Sequence, residues 1–161
     1  MACTRCNVNT YVSTNSTSCI TCPNNTFSNA NSTLLTNCTC LAGYTGTDGT
    51  ACTPCGAGTY KTTTGVGICT PCDANTYSTE IAAISRTDCT TCPNNTFSDA
   101  NSSVCTCRAG YHALSDGTVC TACVAGTYKN VAGVGTCTPC GANTSSSAAA
   151  ISCTVCPNNT F

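Results

Sequence analysis

Cys52-Thr-Pro-Cys-Gly-Ala-Gly-Thr-Tyr60 is one copy of a pattern that recurs along the 161-residue chain. A cysteine pair is followed three residues later by glycine or asparagine, and an aromatic ring lies one or two residues after that. All nine aromatic residues occupy this place: Tyr11, Phe27, Tyr44, Tyr60, Tyr77, Phe97, Tyr111, Tyr128 and Phe161. This repetition predicts an array of small, near-identical units, each with its own cross-link and one aromatic that packs within the module array.

Glycine or asparagine stands three residues after the second cysteine in each of the ten pairs. The ten residues are Asn9, Asn25, Gly43, Gly58, Asn75, Asn95, Gly110, Gly126, Asn143 and Asn159. Both residue types adopt positive φ at low cost, so we predict a left-handed turn here, followed by an extended segment. Further turn signals such as Asp48-Gly49 and Asp116-Gly117 precede the next cysteine. Each unit is therefore predicted to be a minimal β-hairpin.

Aliphatic residues are too few for an ordinary interior. Leu, Ile, Val and Phe together number 21, and Trp is absent, whereas there are 20 cysteines. That cysteine density is typical of secreted scaffolds in which disulfides replace apolar burial. We predict a small disulfide-rich repeat array, a linear stack of ~16-residue β-hairpin modules with little regular secondary structure and no conventional hydrophobic core. The alanine-rich segments 81–84 and 148–151 predict one helical turn each.

A longer period of four units overlies the short one. Cys22-Pro-Asn-Asn-Thr-Phe27 returns at Cys92 and again at Cys156. This period predicts a partial repeat over 3–18, full four-unit periods over 19–88 and 89–152, and the start of a third over 153–161. Because the sequence begins inside one unit and stops at the aromatic of another, we expect it to be a processed piece or a segment taken from a longer chain.

The residues alone leave two wirings for the cysteines. In a ladder, the second cysteine of each pair bonds to the first of the next pair. In a crossed arrangement, two pairs share two bridges, as in Cys3–Cys19 with Cys6–Cys22. Zinc is the rival explanation of paired Cys-x-x-Cys, but structural zinc modules are intracellular, are usually basic or contain histidine, and have no reason to place Asn-x-Thr sequons in register. We therefore expect no metal site, and no redox motif of the thioredoxin type, which occurs once and opens a helix.

Two stretches resemble known extracellular modules. Cys55-Gly-Ala-Gly-Thr-Tyr-Lys61 resembles the single-bridge modules of tumour necrosis factor receptors and of ephrin-receptor-like cysteine-rich repeats, and Cys40-Leu-Ala-Gly-Tyr-Thr-Gly46 through Cys52 resembles the last loop of an epidermal growth factor module. The resemblance covers essentially the whole chain, apart from Ser145 in the place of an aromatic. Arrays of this kind are typical of surface glycoproteins and flagellar-hair (mastigoneme-type) glycoproteins of protists and algae.

The resemblance implies the ladder. Its bridges would be Cys6–Cys19, Cys22–Cys38, Cys40–Cys52, Cys55–Cys69, Cys72–Cys89, Cys92–Cys105, Cys107–Cys120, Cys123–Cys137 and Cys140–Cys153. Cys3 and Cys156 would then need partners outside residues 1–161.

Asn-x-Ser/Thr sequons predict N-linked glycans. They occur at Asn15, Asn24, Asn31, Asn37, Asn94, Asn101, Asn143 and Asn158. Several share a register within the long period, as Asn24, Asn94 and Asn158 do. We expect covalent glycans on several of these residues and no other cofactor.

Catalysis has few residues to use. His112 is the only histidine and Glu80 the only glutamate, so the sequence offers no convincing triad or paired-carboxylate site, and we predict that the chain is not an enzyme. Asp48 and Asp116 precede glycine and are interpreted as turn residues rather than calcium ligands.

Charge also excludes some partners. Five basic and six acidic residues are scattered along the chain, so no basic stripe exists for nucleic acid or an anionic membrane, and no apolar run would insert into a bilayer. Disulfides require an oxidising compartment, so we expect a secreted or cell-surface location.

Two functions remain. The first is a structural segment of an extracellular glycosylated fibre or coat, with copies of itself and other surface glycoproteins as partners. The second is the stalk or ligand-binding ectodomain of a receptor or surface antigen.

Overall fold

A computed structural model describes residues 5–14, 16–113 and 119–157. Its regular elements in this part of the chain are very short strands and two single-turn 3₁₀ helices, η1 Leu35–Asn37 and η2 Arg86–Asp88. The strands are β1 Thr10–Val12, β2 Cys19–Thr21, β3 Thr26–Phe27, β4 Thr39–Cys40, β5 Tyr44–Thr45, β6 Thr53–Pro54, β7 Thr59–Tyr60, β8 Thr70–Pro71, β9 Thr76–Tyr77, β10 Thr90–Thr91, β11 Thr96–Phe97, β12 Thr106–Cys107, β13 Tyr111–Ala113, β14 Cys120–Ala122, β15 Thr127–Tyr128, β16 Thr138–Pro139, β17 Thr144–Ser145 and β18 Thr154–Val155. Within the same residues there is no apolar helix of bilayer-spanning length.

Consecutive strands pair as two-stranded sheets, from β1 with β2 to β17 with β18. In the hairpin β7–β8, for example, Thr59 lies opposite Pro71 and Tyr60 opposite Thr70 in antiparallel register. Isolated hairpins of this size are not stable in water. The predicted array of minimal hairpins is confirmed, and its stability must come from cross-links and from contacts between hairpins.

We number the modules by their cysteine pairs, each module running from the first cysteine of its pair to the residue before the next pair. Modules 1 to 10 begin at Cys3, Cys19, Cys38, Cys52, Cys69, Cys89, Cys105, Cys120, Cys137 and Cys153. The description below uses these numbers throughout.

Nine disulfides connect successive modules. They follow the ladder arrangement: Cys6–Cys19, Cys22–Cys38, Cys40–Cys52, Cys55–Cys69, Cys72–Cys89, Cys92–Cys105, Cys107–Cys120, Cys123–Cys137 and Cys140–Cys153. The bonded cysteines are 12 to 17 residues apart in sequence. Each bridge links the segment before the turn of one hairpin to the first residue of the second strand or to the residue just before it. Cys156 carries a half-buried free thiol, and Cys3 lies outside the described residues.

Sulfur and polar groups, rather than aliphatic side chains, fill the interior. The buried apolar residues are cysteines and Ala83, whereas none of the described Leu, Ile and Val residues is buried. The absence of a conventional hydrophobic core, predicted from composition, is therefore confirmed for the described residues. The large aliphatic side chains lie on the surface instead.

The chain divides into two compact units. Unit 1 comprises Met1–Asp73, Ser78–Thr90 and Ala100–Ser103. Unit 2 comprises Ala74–Tyr77, Thr91–Asp99 and Val104–Phe161.

The prediction of helical turns at 81–84 and 148–151 is wrong. Ala82 and Ala149 have φ of 58° and 59°, in the left-handed region. Their N–H groups donate to the carbonyls of Cys55 and Cys123, each at 2.8 Å. Helical propensity in so short a segment is weak, and the bond to the preceding module determines the backbone conformation instead.

Candidate functional site at the module junctions

The turn after each cysteine pair has the predicted left-handed backbone. Among the described residues, all the turn asparagines have φ of 61° to 65° and all the turn glycines have φ of 80° to 82°. At six of the nine described turns, the N–H donates to the next module. The turn is therefore where one module meets its neighbour.

A first hydrogen bond recurs at these junctions. The turn N–H donates to the carbonyl of the residue that follows the aromatic position in the next module, at 2.8 to 3.1 Å. The pairs are Asn9 to Ser28, Gly43 to Lys61, Gly58 to Ser78, Asn75 to Ser98, Gly110 to Lys129 and Gly126 to Ser146. Each of these bonds lies within one compact unit.

A second hydrogen bond runs in the opposite direction. A residue of the following module, itself at positive φ, donates its N–H to the carbonyl of the second cysteine of the preceding module, at 2.7 to 3.0 Å. The pairs are Asn31 to Cys6, Gly65 to Cys40, Ala82 to Cys55, Asn101 to Cys72, Gly133 to Cys107 and Ala149 to Cys123. Buried backbone N–H and C=O groups require hydrogen-bond partners. Two modules joined in this register supply those partners to each other.

The residue after the aromatic is buried although it is polar. Ser28 and Ser98 are 1% and 5% exposed, and their hydroxyls donate to the carbonyls of Thr10 and Thr76 in the preceding module. Ser146 makes the corresponding bond to Thr127. Sequence reasoning missed this position, although serine or lysine follows the aromatic position in most modules and was a usable signal.

Two lysines fill the same position and are buried as well. Lys61 is 3% exposed, and its Nζ donates to the carbonyls of Thr63 and Gly65, both at 2.8 Å. Lys129 is 7% exposed, and its Nζ donates to the carbonyls of Val131 and Gly133 at 2.8 and 2.6 Å. Each ammonium thus holds together the loop whose glycine bonds to the preceding module. We call this arrangement the lysine clamp.

Removal of one clamp should destabilise one loop and leave the other intact. In Lys129→Met, the carbonyls of Val131 and Gly133 lose a charged donor, and hydrogen bonds to charged groups are worth about 1.5–3 kcal/mol each. We expect amide hydrogen exchange in 130–135 to accelerate by more than tenfold, while 62–67 in the same molecule exchanges as before. Equal acceleration in both loops, or in neither, would contradict a local role.

The threonine after the turn also has a role in the fold. Its Oγ1 donates to the carbonyl three residues earlier in Thr10, Thr26, Thr59, Thr96, Thr127 and Thr144. Thr26 and Thr96 belong to predicted sequons, but Thr59 makes the same bond in a module without one. The regular spacing of these threonines is therefore explained in part by the turn and not by glycosylation alone.

The predicted glycan acceptors that the structure describes are exposed. These are Asn24, Asn31, Asn37, Asn94, Asn101 and Asn143, whereas Asn15 and Asn158 lie outside the described residues. Asn37 also accepts a hydrogen bond from the N–H of Leu34 through Oδ1. Glycosylation remains a prediction for all eight residues.

The eight described aromatics are half-buried, each beside its left-handed turn, and Phe161 lies outside the described residues. The Arg108 guanidinium lies 5.6 Å from the centroid of the Phe97 ring. Packing of the aromatic rings within the module array remains a prediction.

Two of the residues weighed for catalysis and metal binding occupy ordinary structural places, whereas Asp116 lies outside the described residues. His112 lies opposite Thr121 in the hairpin β13–β14, and Asp48 accepts the N–H of Cys40 in its turn. The cysteines of the ladder are oxidised and are no longer thiolate ligands. Within 5–14, 16–113 and 119–157, no three His, Cys, Asp or Glu side chains form a group that could hold a metal ion.

Comparison with known proteins gives one family. No curated protein matches the chain significantly. A family model described as tyrosine-protein kinase ephrin type A/B receptor-like matches residues 43–89 and 110–150. These segments contain six of the twelve recurring junction bonds and both lysine clamps. The match suggests a non-catalytic ectodomain whose disulfides fit an extracellular location. Together they cover more than half of the residues, and the chain therefore belongs to the tyrosine-protein kinase ephrin type A/B receptor-like family.

Proposed function

We propose that this chain is a structural repeat segment of an extracellular fibre or surface coat, made rigid by the disulfide ladder and sheathed by N-linked glycans. Copies of the same chain and other surface glycoproteins are its partners. The observation that carries the proposal is the repeated junction. The same two backbone hydrogen bonds recur at junction after junction, with donors and acceptors at equivalent positions.

Because the contacts at this junction repeat, further modules can be added to the chain while the contacts between modules stay the same. At six junctions the earlier module donates to the next through its turn N–H and accepts through the carbonyl of its second cysteine, so the same pair of contacts joins most of the successive modules. In repeat proteins of this type, stability is approximately the sum of module and interface terms. A fibre or coat protein uses this property because its length can increase while each interface stays the same.

Mass spectrometry of glycopeptides from the secreted protein tests whether N-linked glycans cover the chain. We expect intact glycopeptides at several of the exposed acceptors, Asn24 and Asn94 among them, when the full chain is isolated from the cells that express it. Liquid chromatography with mass spectrometry under non-reducing conditions measures occupancy at each asparagine. Unmodified asparagines throughout would remove the glycan part of the proposal.

The location is tested by immunogold electron microscopy of cells that express the protein. Antibodies to the folded chain should label filaments or a continuous coat at regular intervals. Label confined to isolated points on the plasma membrane would favour a second function, the stalk or ligand-binding ectodomain of a cell-surface receptor or surface antigen. The receptor-like family match is the observation that favours this alternative.

A further inference from the structure

A cavity of about 320 Å³ lies beside the disulfide Cys92–Cys105 in unit 2. Its lining is uncharged and includes Tyr77, Pro93, Thr96, Val104, Cys105 and Val134. Cavities that hold small ligands have volumes of about 300–1,000 Å³ and are mainly apolar, with a few polar groups that orient the ligand. This cavity is therefore suited to one small group that has apolar faces and polar edges.

A predicted glycan acceptor lies directly at the cavity wall. Pro93 precedes Asn94, and Thr96 is the threonine of its sequon, so two lining residues flank the acceptor. Consecutive Cα atoms are about 3.8 Å apart, so a sugar on Asn94 is attached one residue from the wall. Asn94 is exposed, whereas Thr96 is 5% exposed and its hydroxyl donates to the carbonyl of Pro93 at 2.6 Å. This hydrogen bond fixes the wall to the sequon.

The disulfide beside the cavity is less well buried than its equivalent in the long period. Cys92 and Cys105 are half-buried, whereas Cys22 and Cys38 are 9% and 0% exposed. Each bridge starts at the cysteine of a Cys-Pro-Asn-Asn-Thr sequence, so a glycan acceptor lies two residues after it. The protein itself buries the bridge in module 2, and the bridge in module 6 is left with an open cavity at its side.

We propose that this cavity holds the innermost N-acetylglucosamine of a glycan on Asn94, which folds back and covers Cys92–Cys105. The inference rests on the glycan sheath of the proposed function and gives one of its sugars a place in the fold. N-acetylglucosamine has C–H groups on its ring faces, an acetyl methyl group, and hydroxyls at its edge. The apolar groups suit Val104, Val134 and the ring of Tyr77, because the face of an aromatic ring is electron-rich and attracts C–H groups.

Covalent attachment replaces the affinity that a free sugar would need. A group on a short link has an effective concentration in the millimolar range, and it has already lost much of the translational freedom that association costs. A weak contact with the cavity is then sufficient to hold the sugar in place. Burial of about 60 Å² of apolar surface shifts such an equilibrium tenfold.

The rate at which a reductant opens each bridge tests this contact. The full chain, secreted with its disulfides and high-mannose glycans, is exposed briefly to a phosphine under native conditions, and the released thiols are identified by alkylation and mass spectrometry. Because the phosphine reaches the bridge only while the sugar is displaced, Cys92–Cys105 should open at least about tenfold faster in Asn94→Gln. This substitution keeps the turn residue Asn95, with φ of 65°, and the hydroxyl of Thr96.

Two controls separate a sugar in the cavity from other effects of glycosylation. Asn24→Gln removes the equivalent acceptor beside Cys22–Cys38, and its opening rate should stay unchanged because the protein already buries that bridge. An endoglycosidase that leaves only the innermost sugar should preserve the slow opening of Cys92–Cys105. A glycan that shields the bridge only by its bulk would lose this effect when it is trimmed.

The outcomes distinguish this contact from the glycan sheath. If Asn94 is glycosylated and Cys92–Cys105 opens equally fast in Asn94→Gln, or if trimming abolishes the protection, the contact is overturned and the sheath stands. Equal acceleration of both bridges in Asn94→Gln would indicate general destabilisation and would also overturn the contact. Asn94 found unmodified while other acceptors carry glycans overturns the contact alone, and unmodified asparagines throughout overturn the sheath as well.

Discussion

Reduction of the nine disulfides will unfold the protein under otherwise native conditions. In the chain-entropy model, a bridge closing a loop of about 15 residues is worth about 3 kcal/mol, and the loops here have separations of 12 to 17 residues. The net stability of an ordinary domain is only about 5–15 kcal/mol. Loss of a few bridges therefore exceeds what the remaining contacts can supply, since no described Leu, Ile or Val is buried.

The measurement is a ¹H–¹⁵N correlation spectrum before and after treatment with a phosphine reductant. We expect the dispersed amide signals to collapse into the random-coil range. Mass spectrometry after alkylation serves as the control, because it counts the thiols released in the same sample. A spectrum that stays dispersed after every bridge has been opened would show that the hydrogen-bonded junctions are sufficient, and it would refute the view that sulfur replaces a hydrophobic core here.

Much of the local fold could be predicted because it depends on residues with few alternatives. Glycine or asparagine at the turn predicted positive φ, and the structure has it at Gly43, Asn75 and every other described turn. The residues alone did not determine the disulfide pairing, since both the ladder and the crossed arrangement are compatible with the repeat. Resemblance to single-bridge modules favoured the pairing that the nine disulfides follow.

The sequence was less informative about contacts between modules. Ala82 and Ala149 have left-handed backbone, which alanine adopts at a cost of about 1–2 kcal/mol, so local preference predicted a helical turn instead. Lys61 looks like a surface residue in a chain with little charge, yet its ammonium is enclosed by carbonyls of its own loop. The alanine conformation depends on the neighbouring module, and the lysine burial depends on the loop as a whole. The local sequence pattern therefore predicts neither feature.

The different burial of two equivalent disulfides could not be predicted either. The segment between Cys92 and Cys105 is three residues shorter than its counterpart between Cys22 and Cys38. A deletion in a loop is usually read as neutral, since loops tolerate changes of length. Cys92 and Cys105, at the ends of the shorter segment, are half-buried, whereas Cys22 and Cys38 are buried.

Alanine at Gly110 should destabilise unit 2 far more than alanine at Gly126, although the two glycines have φ of 82° and 81°. A Cβ at Gly110 would lie 2.3 Å from the carbonyl oxygen of Ala149, whereas a Cβ at Gly126 meets nothing within 4 Å. Both substitutions carry the left-handed cost of about 1–2 kcal/mol. Only Gly110→Ala must also displace the backbone at Ala149, whose N–H donates to the carbonyl of Cys123.

The pair of variants therefore separates backbone conformation from contact between modules. We expect Gly126→Ala to lose about 1–2 kcal/mol of stability and Gly110→Ala to lose at least about 2 kcal/mol more, because a strained junction also gives up a buried hydrogen bond. Hydrogen exchange at the Ala149 amide measures the difference directly. It should accelerate by more than about thirtyfold in Gly110→Ala for a loss of that size and change little in Gly126→Ala. Equal effects at the two positions would mean that the close approach of the modules contributes nothing, and the repeated junction would then be a consequence of the ladder rather than a source of rigidity.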